Sequence, residues 1–179
     1  MVPCLTLSYN ELFAILKGVT IFSGFGEGDL EYIRENCDLL EARIGEVVLE
    51  EGTPATEILI ILKGRVTIVL NLEEEPIELI EFGPGSCIGE TSVIGIQKHS
   101  ASAVIIEDTI LMVLKRQVLM QLFNDNKALF SLLILNIARE LARRLSHTDE
   151  VLLHYGKMGE HHEILHPGII KKLQPFREP

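Results

Sequence analysis

The sequence predicts an α+β protein in which a small antiparallel β structure lies between short N-terminal helices and one long C-terminal helix. Short β-branched runs separated by turn residues fill the middle of the chain, from about residue 39 to residue 116. The apolar residues on both sides of this region follow helical spacing instead. Of the 179 residues, 47% are hydrophobic and 23% are charged, so the chain can bury a core.

Six short runs of aliphatic residues are the predicted strands. Glycine, proline and acidic residues separate them, including Lys63-Gly64 and Glu107-Asp108. Strands of this length at nearly regular spacing indicate a small antiparallel sandwich or barrel. The runs cover residues 47–49, 58–62, 66–70, 77–82, 103–106 and 110–114.

Two short helices are predicted before the strands. The first is capped by Ser8 or Asn10 and ends at Gly18. The second begins at Gly28 or Asp29 and runs to residue 36. The resulting organisation is one domain over residues 1–155, followed by a tail. Its parts are the N-terminal helices (1–38), the β-roll (39–116), the C-terminal helices (117–155) and the tail (156–179).

The long C-terminal helix carries a seam of residues spaced alternately by four and three positions, which is typical of a heptad a/d pattern. Two interpretations compete: the helix packs against its own β structure, or it pairs with the same helix of a second subunit. Apolar residues also lie off the seam, at Phe130, Leu133 and Leu135. We therefore expect both faces to be used and predict a homodimer. The seam consists of Ile134, Ala138, Leu141, Leu145, Thr148 and Leu152.

Charge and hydropathy argue against several partners. The chain has a net charge of −10; up to Arg116 it holds 8 Lys+Arg against 19 Asp+Glu, and beyond it 8 against 7. Neither part offers the basic field that a nucleic acid backbone requires, so no direct nucleic acid partner is expected. The most apolar stretch, residues 129–138, is about half the length that crosses a bilayer, and no signal peptide is apparent. We expect a cytoplasmic protein, without membrane contact, whose three cysteines are reduced.

Several motifs, in this order, resemble one known family. Ile21-Phe22-Ser23 and Gly45-Glu46 come first, and Ile61-Leu62-Lys63-Gly64-Arg65-Val66 lies in the predicted β region. Phe82-Gly83-Pro84-Gly85 then precedes Ile88-Gly89-Glu90-Thr91-Ser92-Val93. Over about residues 11–155 the chain resembles the cyclic-nucleotide-binding domain of the catabolite-activator and oxygen-regulator (Crp/Fnr) superfamily. The resemblance implies a jelly-roll (double-stranded β-helix), a long dimerisation helix and a ligand-sensing role without catalysis.

Residues 88–93 resemble the phosphate-binding cassette of that family. Gly89 would let the backbone approach a ligand closely, and Glu90 would accept a ribose hydroxyl. A short helical turn near Thr91 and Ser92 would direct backbone N–H groups at a phosphate. The alternative is that Gly89 and Glu90 only end a strand, with the Glu90 carboxylate in solvent.

The cassette departs from the family at one position. Ten residues after the cassette glutamate the family has an arginine that holds the cyclic phosphate, and here Ser100 stands in its place, followed by Ala101. Lys98 and His99 are the nearest cations. Adjacent strand residues face opposite ways, so we expect His99 not to replace the arginine, and Lys98 could do so only by reaching back two residues. The ligand is then a weakly bound cyclic AMP or cyclic GMP, a different small anion, or none, the last making the chain a degenerate interaction module. No cofactor is required by this interpretation.

A threonine on the long helix also matches the family. Leu141-Ala142-Arg143-Arg144-Leu145 followed by Thr148 resembles the motif whose threonine meets the purine base. The alternative is that the Thr148 hydroxyl bonds to a carbonyl of its own helix.

Rival functions have weaker support. His162-Glu163-Ile164-Leu165-His166 matches the zinc-protease string, but Pro167 disfavours a helix at its second histidine. We interpret it as a chance match and predict no catalytic residue and no metal site, although His161, His162 and His166 are suited to adventitious nickel or zinc binding. A haem or redox sensor on the same fold stays open, with Cys87 or a late histidine as ligand, although Cys87 is better interpreted as a buried structural thiol. The identity of a downstream protein partner also stays open. Only 24 residues follow Tyr155, so we expect no helix-turn-helix domain.

Overall fold

The structure, a computed structural model, describes the backbone of residues 2–3 and 7–158 and the side chains of residues 7–151 and 153. The described strands form one antiparallel sheet that folds into the jelly-roll, and a long helix follows it, as predicted. In chain order the elements are β1 (Val2–Pro3), α1 (Tyr9–Leu16), a 3₁₀ turn (Thr20–Phe22), α2 (Glu27–Asn36), β2 (Asp38–Ala42), β3 (Val47–Leu49), β4 (Glu57–Leu70), β5 (Ile77–Phe82), β6 (Cys87–Ile88), α3 (Glu90–Ile94), β7 (Ser102–Lys115), α4 (Arg116–Asp125) and α5 (Lys127–Met158).

The two longest strands, β4 and β7, form the centre of the sheet. They pair antiparallel over their whole length, from Glu57 opposite Lys115 to Val69 opposite Ser102. The β2 and β3 strands pair with β7, while β5 and β6 pair with β4, and β1 pairs with β2. The buried side chains of these strands make the core beneath the sheet: Ala42, Val48, Leu49, Leu59, Ile61, Val66, Ile88, Ala103, Ile105, Leu111 and Val113.

Two predicted strand boundaries are wrong. The sequence pattern placed turns at Lys63-Gly64 and at Glu107-Asp108, but β4 and β7 each continue through them as single strands. The β4–β7 register shifts three times between Ile61 and Val66, so a bulge takes up the residues that were interpreted as turns. Gly64 permits this bulge because its φ is +88°.

The N-terminal helices follow the prediction, with one correction. The Ser8 side chain caps α1, and the Glu11 carboxylate accepts from the Ser8 backbone N–H at 2.9 Å, which completes a capping box. The second helix begins earlier than expected, after Gly26. Asp29 is its third residue, and the Asp29 carboxylate accepts from the Gly26 N–H at 2.9 Å.

The C-terminal helix contributes to two compact units. Residues up to Glu140 belong to the unit that holds the sheet, and residues from Leu141 onward form a second unit. In the first unit Leu129, Leu133 and Ile137 are buried on one face of α5. Asn136 on the same face donates to the carbonyls of Ile21 at 3.1 Å and Ser23 at 2.7 Å. This face therefore packs on the N-terminal segment, whereas the internal-packing interpretation named the β structure as its partner.

Two further predictions concern the cysteines and the membrane. Cys37 and Cys87 are buried, and burial raises the pKa of the Cys37 thiol to about 12. Cys4 lies outside the described residues. Among residues 7–158, none of the helices combines the length and the apolar character needed to cross a membrane.

We predict that Gly64→Ala destabilises the fold more than Gly45→Ala does. Both glycines have a φ near +90°, which costs alanine about 1–2 kcal/mol. At Gly64 the new Cβ would also lie 2.6 Å from the Asp108 carbonyl oxygen and 2.7 Å from the Thr109 Cα, whereas at Gly45 it would meet nothing within 4 Å. Urea denaturation should show an additional loss of about 1–3 kcal/mol for Gly64→Ala. Equal losses in the two variants would show that the bulge can open.

Candidate ligand site

Gly89 lies where the sheet meets the first turn of α3. Its φ of +81° is in the left-handed region, and it is the N-cap residue of the helix. A Cβ at this position would lie 3.1 Å from the Glu57 carbonyl oxygen and 3.2 Å from Leu49 Cδ1. Both the backbone conformation and the close packing therefore require glycine.

Glu90, Thr91 and Ser92 follow directly in α3, which brings four of the predicted site residues together. Glu90 is only 2% exposed, so the alternative in which its carboxylate lies in solvent is wrong. Ser92 is also buried, and the exposed Thr91 donates from Oγ1 to Glu90 Oε1 at 3.5 Å. A buried carboxylate next to a residue without a side chain is suited to accept hydrogen bonds from hydroxyl groups.

The segment between α3 and β7 holds the position where the family has its arginine. Ser100 is exposed there and Ala101 is half-buried. Lys98 is exposed and pairs through its backbone with Pro54. His99 is buried, and its Cε1 lies 3.5 Å from the point that a Cβ on Gly89 would occupy. The neighbour of the cassette glycine is therefore an imidazole.

The His99 side chain lies in a poorly solvated environment. Burial lowers its pKa below the ordinary value of 6.5, and the nearby Glu57 carboxylate raises it by a smaller amount. The imidazole is therefore neutral at pH 7. In that state it offers one N–H donor and one nitrogen acceptor and no positive charge for a phosphate.

Arg116 fixes the far end of α3, a role that the sequence gave no reason to expect. Its Nη2 donates to the Val93 carbonyl at 3.2 Å and to the Ala55 carbonyl at 2.9 Å. The guanidinium thus ties the cassette helix to the chain that precedes β4. Both acceptors are main-chain atoms, so no sequence motif marks this contact.

A cavity of about 750 Å³ lies beside the cassette, between β3, the turn of residues 50–57 and the loop that follows β4. His99 and Ser102 form part of its wall, but none of the seven predicted ligand-binding residues does. Five of the lining residues are glutamates, and none is lysine or arginine: Val47, Val48, Leu49, Glu50, Glu51, Thr53, Pro54, Thr56, Glu57, Asn71, Leu72, Glu73, Glu74, His99 and Ser102. The cavity is therefore a poor site for an anion.

Thr148 lies on α5 in the second compact unit. It is exposed, and its hydroxyl donates to the Arg144 carbonyl one turn earlier, at 3.0 Å. This hydrogen bond is the one that the own-helix alternative describes.

The seam residues of α5 differ in exposure. Ile134 and Leu141 are half-buried, Ala138 is exposed and Leu145 is 64% exposed. The side chain of Leu152 lies outside the described residues. The described part of the seam thus presents apolar surface that this chain covers only in part.

Three sequence features bear on metal or haem chemistry. His161, His162 and His166 lie outside the described residues. Within the described part of the chain, no three His, Cys, Asp or Glu side chains come close enough together to hold a metal ion. Cys87 is fully buried in β6.

Comparisons with known proteins agree on one family. The profile of the cyclic nucleotide-binding domain matches residues 39–126. The cyclic AMP receptor protein of Thermus thermophilus is 28% identical over 137 residues, which are 75% of this chain and 61% of that protein. The chain spans 24% to 61% of the length of the curated relatives it matches.

Two solved structures show the same fold. A cyclic nucleotide-binding domain from Methylobacillus flagellatus KT superimposes with a TM-score of 0.74 at 24% identity, covering 87% of this chain and 86% of that one. The catabolite activator protein of Thermus thermophilus superimposes with a TM-score of 0.65 at 26% identity, covering 76% of this chain and 63% of that one.

We predict that His99 makes the fold less stable in mild acid. Because its pKa is lower in the folded chain, the unfolded chain binds the proton more readily once the pH falls below 6.5. The free energy of unfolding should therefore fall from pH 7 to pH 5, and His99→Gln should reduce that fall. Urea denaturation of both proteins at pH 7 and pH 5 measures the difference. The same pH dependence in His99→Gln and in the unaltered protein would contradict this account.

Proposed function

Residues 39–126 belong to the cyclic nucleotide-binding domain family, and from this premise we propose that the chain is a regulatory sensor that binds a small nucleotide-like anion weakly and signals as a helical dimer. The chain acts without catalysis of its own. Its net charge of −10 argues against direct contact with nucleic acid. The observation that carries the proposal is the buried Glu90 beside the left-handed Gly89.

The cassette supports a ligand that brings hydroxyl groups. Glu90 is 2% exposed, and its carboxylate can accept several hydrogen bonds, of which Thr91 Oγ1 supplies one. A ribose offers hydroxyl donors to such an acceptor. Arg116 holds the cassette helix through main-chain contacts, so the site is preformed rather than assembled by the ligand.

The missing arginine sets the expected affinity. Hydrogen bonds to a charged group contribute about 1.5–3 kcal/mol each, which is roughly tenfold to a hundredfold in affinity. Neither the exposed Ser100 nor the neutral His99 supplies that charge. We therefore propose that cyclic AMP and cyclic GMP bind weakly to the unaltered chain.

The α5 seam supports the dimer. Leu145 leaves 64% of its surface exposed, and the seam positions recur on one side of a helix of 32 residues. The buried face of the same helix, at Leu129, Leu133 and Ile137, is already occupied within the chain. The seam is thus free to pair with a second copy, as heptad residues do.

We predict that Ser100→Arg raises the affinity for cyclic AMP or cyclic GMP by about tenfold or more. The guanidinium would supply the missing charge and pair with two phosphate oxygens. Isothermal titration calorimetry on the full chain measures the change. Adding Glu90→Gln to Ser100→Arg should remove part of the gain, because the ribose acceptor is weakened.

A matched control separates this effect from net charge. Gln97→Arg adds the same charge at an exposed position three residues away and should leave the affinity nearly unchanged. Equal gains from Gln97→Arg and Ser100→Arg would contradict a specific phosphate contact. Tight binding by the unaltered chain would show that the arginine is not needed.

We predict that replacing Leu141 and Leu145 by aspartate gives a monomer. Two buried charges at the seam would each lack a partner, which disfavours association. Sedimentation velocity measures the result, and Ala142→Asp with Ser146→Asp is the control, since both of these residues are exposed and have the same spacing. If the seam variant sediments as the unaltered chain does, the seam packs internally.

A further inference from the structure

The β5 strand has one edge with which no described strand pairs. It stands at the end of the sheet, and among the strands that the structure describes it pairs only with β4. Its other edge therefore presents main-chain N–H and C=O groups to a further strand. We propose that this edge binds an extended, basic segment of a protein partner, which adds to the sheet as one more strand. The proposal does not depend on the nucleotide site, because none of the predicted ligand-binding residues lies on β5.

The side chains of β5 leave aliphatic surface in solvent. Ile77, Leu79 and Ile80 are 52%, 53% and 43% exposed, while Phe82 packs against the core at the end of the strand. A register shift leaves Leu79 without a partner residue on β4. Edge strands are commonly protected by lysine or proline, which discourage pairing with another chain, and β5 contains neither. Three aliphatic side chains are thus available to a strand laid beside it.

The charge around β5 selects the kind of partner. Between Arg65 and Lys98 the chain contains no lysine or arginine, whereas residues 73–81 include five glutamates. Among the described residues, only Glu81 of these five forms an ion pair, with Arg65 at 3.4 Å. Basic residues on an added strand would lie beside Glu78 and Glu81, and opposite charges on neighbouring strands stabilise their pairing. A partner with alternating aliphatic and basic residues matches both properties of the edge.

A second copy of this chain matches the edge poorly. If two β5 strands paired antiparallel about their centres, Glu78 of each copy would lie opposite Glu81 of the other. Like charges directly opposite one another destabilise such a pair. The three glutamates at 73–75, in the loop before β5, would add to the repulsion. An acidic partner is disfavoured for the same reason.

A short peptide tests the proposal on the full chain without nucleotide. The probe is a fluorescently labelled peptide of alternating valine and lysine, and fluorescence anisotropy measures its binding. We expect saturable binding at physiological salt that weakens as salt is added. The same peptide with every main-chain nitrogen methylated keeps its side chains but cannot donate to a strand, and it should bind about tenfold more weakly or worse. A peptide of alternating valine and glutamate should not bind.

Amide chemical shifts locate the bound peptide. The proposal predicts changes concentrated at residues 77–82 when the valine–lysine peptide is titrated into the protein. Absent binding, equal affinities of the methylated and unmodified peptides, or shifts that leave β5 unchanged would each overturn it. If the β5 amides shift with protein concentration in the absence of peptide, a second copy occupies the edge and the proposal is also overturned.

Paired variants test the aliphatic contribution. Ile77→Thr with Leu79→Thr keeps the preference for a strand but removes exposed aliphatic surface, and it should lower the peptide affinity about tenfold. Ile44→Thr with Ile96→Thr is the matched control, because these two side chains are 68% and 80% exposed and lie outside β5. The control should change the affinity less than about twofold. Equal losses in the two double variants would contradict a contact at β5.

Charge-matched variants separate the edge from the general negative field of the chain. Glu75→Gln with Glu78→Gln removes two exposed carboxylates at β5 and should lower the peptide affinity about fivefold or more, since each exposed pair contributes up to about fivefold. Glu35→Gln with Glu150→Gln removes the same charge from exposed positions on two helices and should change the affinity less than about twofold. Equal losses would show that net charge alone attracts the peptide, which would overturn the site.

Discussion

Antiparallel pairing between β4 and β7 positions every other part of the sheet. Each strand has 14 residues, and each carries further strands on its other edge. The cassette depends on the same pairing, because β6 joins β4 through Leu59 and Ile60, and Gly89 then packs against the Glu57 carbonyl. The bulge around Gly64 curves this pair of strands, and the close approach of Asp108 and Thr109 leaves room for no larger residue there.

The charges around the cassette determine which chemical groups the site can bind. Glu90 provides a buried acceptor, but the segment that should supply a counter-charge offers an exposed serine and a neutral, buried histidine. On the other side of that histidine lies a cavity with five carboxylates. His99 therefore lies close to the cassette glycine and also forms part of the wall of this cavity.

Some of these features could be read from the sequence and others could not. The order of motifs from Ile21 to Val93 predicted the fold family, and short β-branched runs separated by turn residues predicted most strands. The bulge at Gly64 was interpreted as a turn, because a lysine followed by a glycine occurs both in turns and in β-bulges. Register shifts are set by the partner strand, which a local pattern does not contain.

The contacts of His99 and Arg116 were beyond sequence reasoning for related reasons. Burial is predicted from a repeated pattern of apolar residues, and His99 is a single polar residue that belongs to no such pattern. Arg116 donates to the main-chain carbonyls of Ala55 and Val93. Every residue has a main-chain carbonyl, so the sequence does not indicate which residues accept these hydrogen bonds. The Gly89–Glu90 pair was found because residues 88–93 resemble the phosphate-binding cassette of the family. The dimer seam on α5 remains a prediction.

The central claim is that the cassette is a formed site that lacks its phosphate-holding charge. Amide chemical-shift mapping by NMR, with cyclic AMP titrated into the unaltered protein, tests it most directly. The account predicts shifts concentrated at Gly89, Glu90, Thr91 and Ser92 that do not saturate below roughly the 100 µM range, since one charged contact of about tenfold to a hundredfold is missing. Saturation at low micromolar cyclic AMP, or shifts that leave these four amides unchanged, would contradict it.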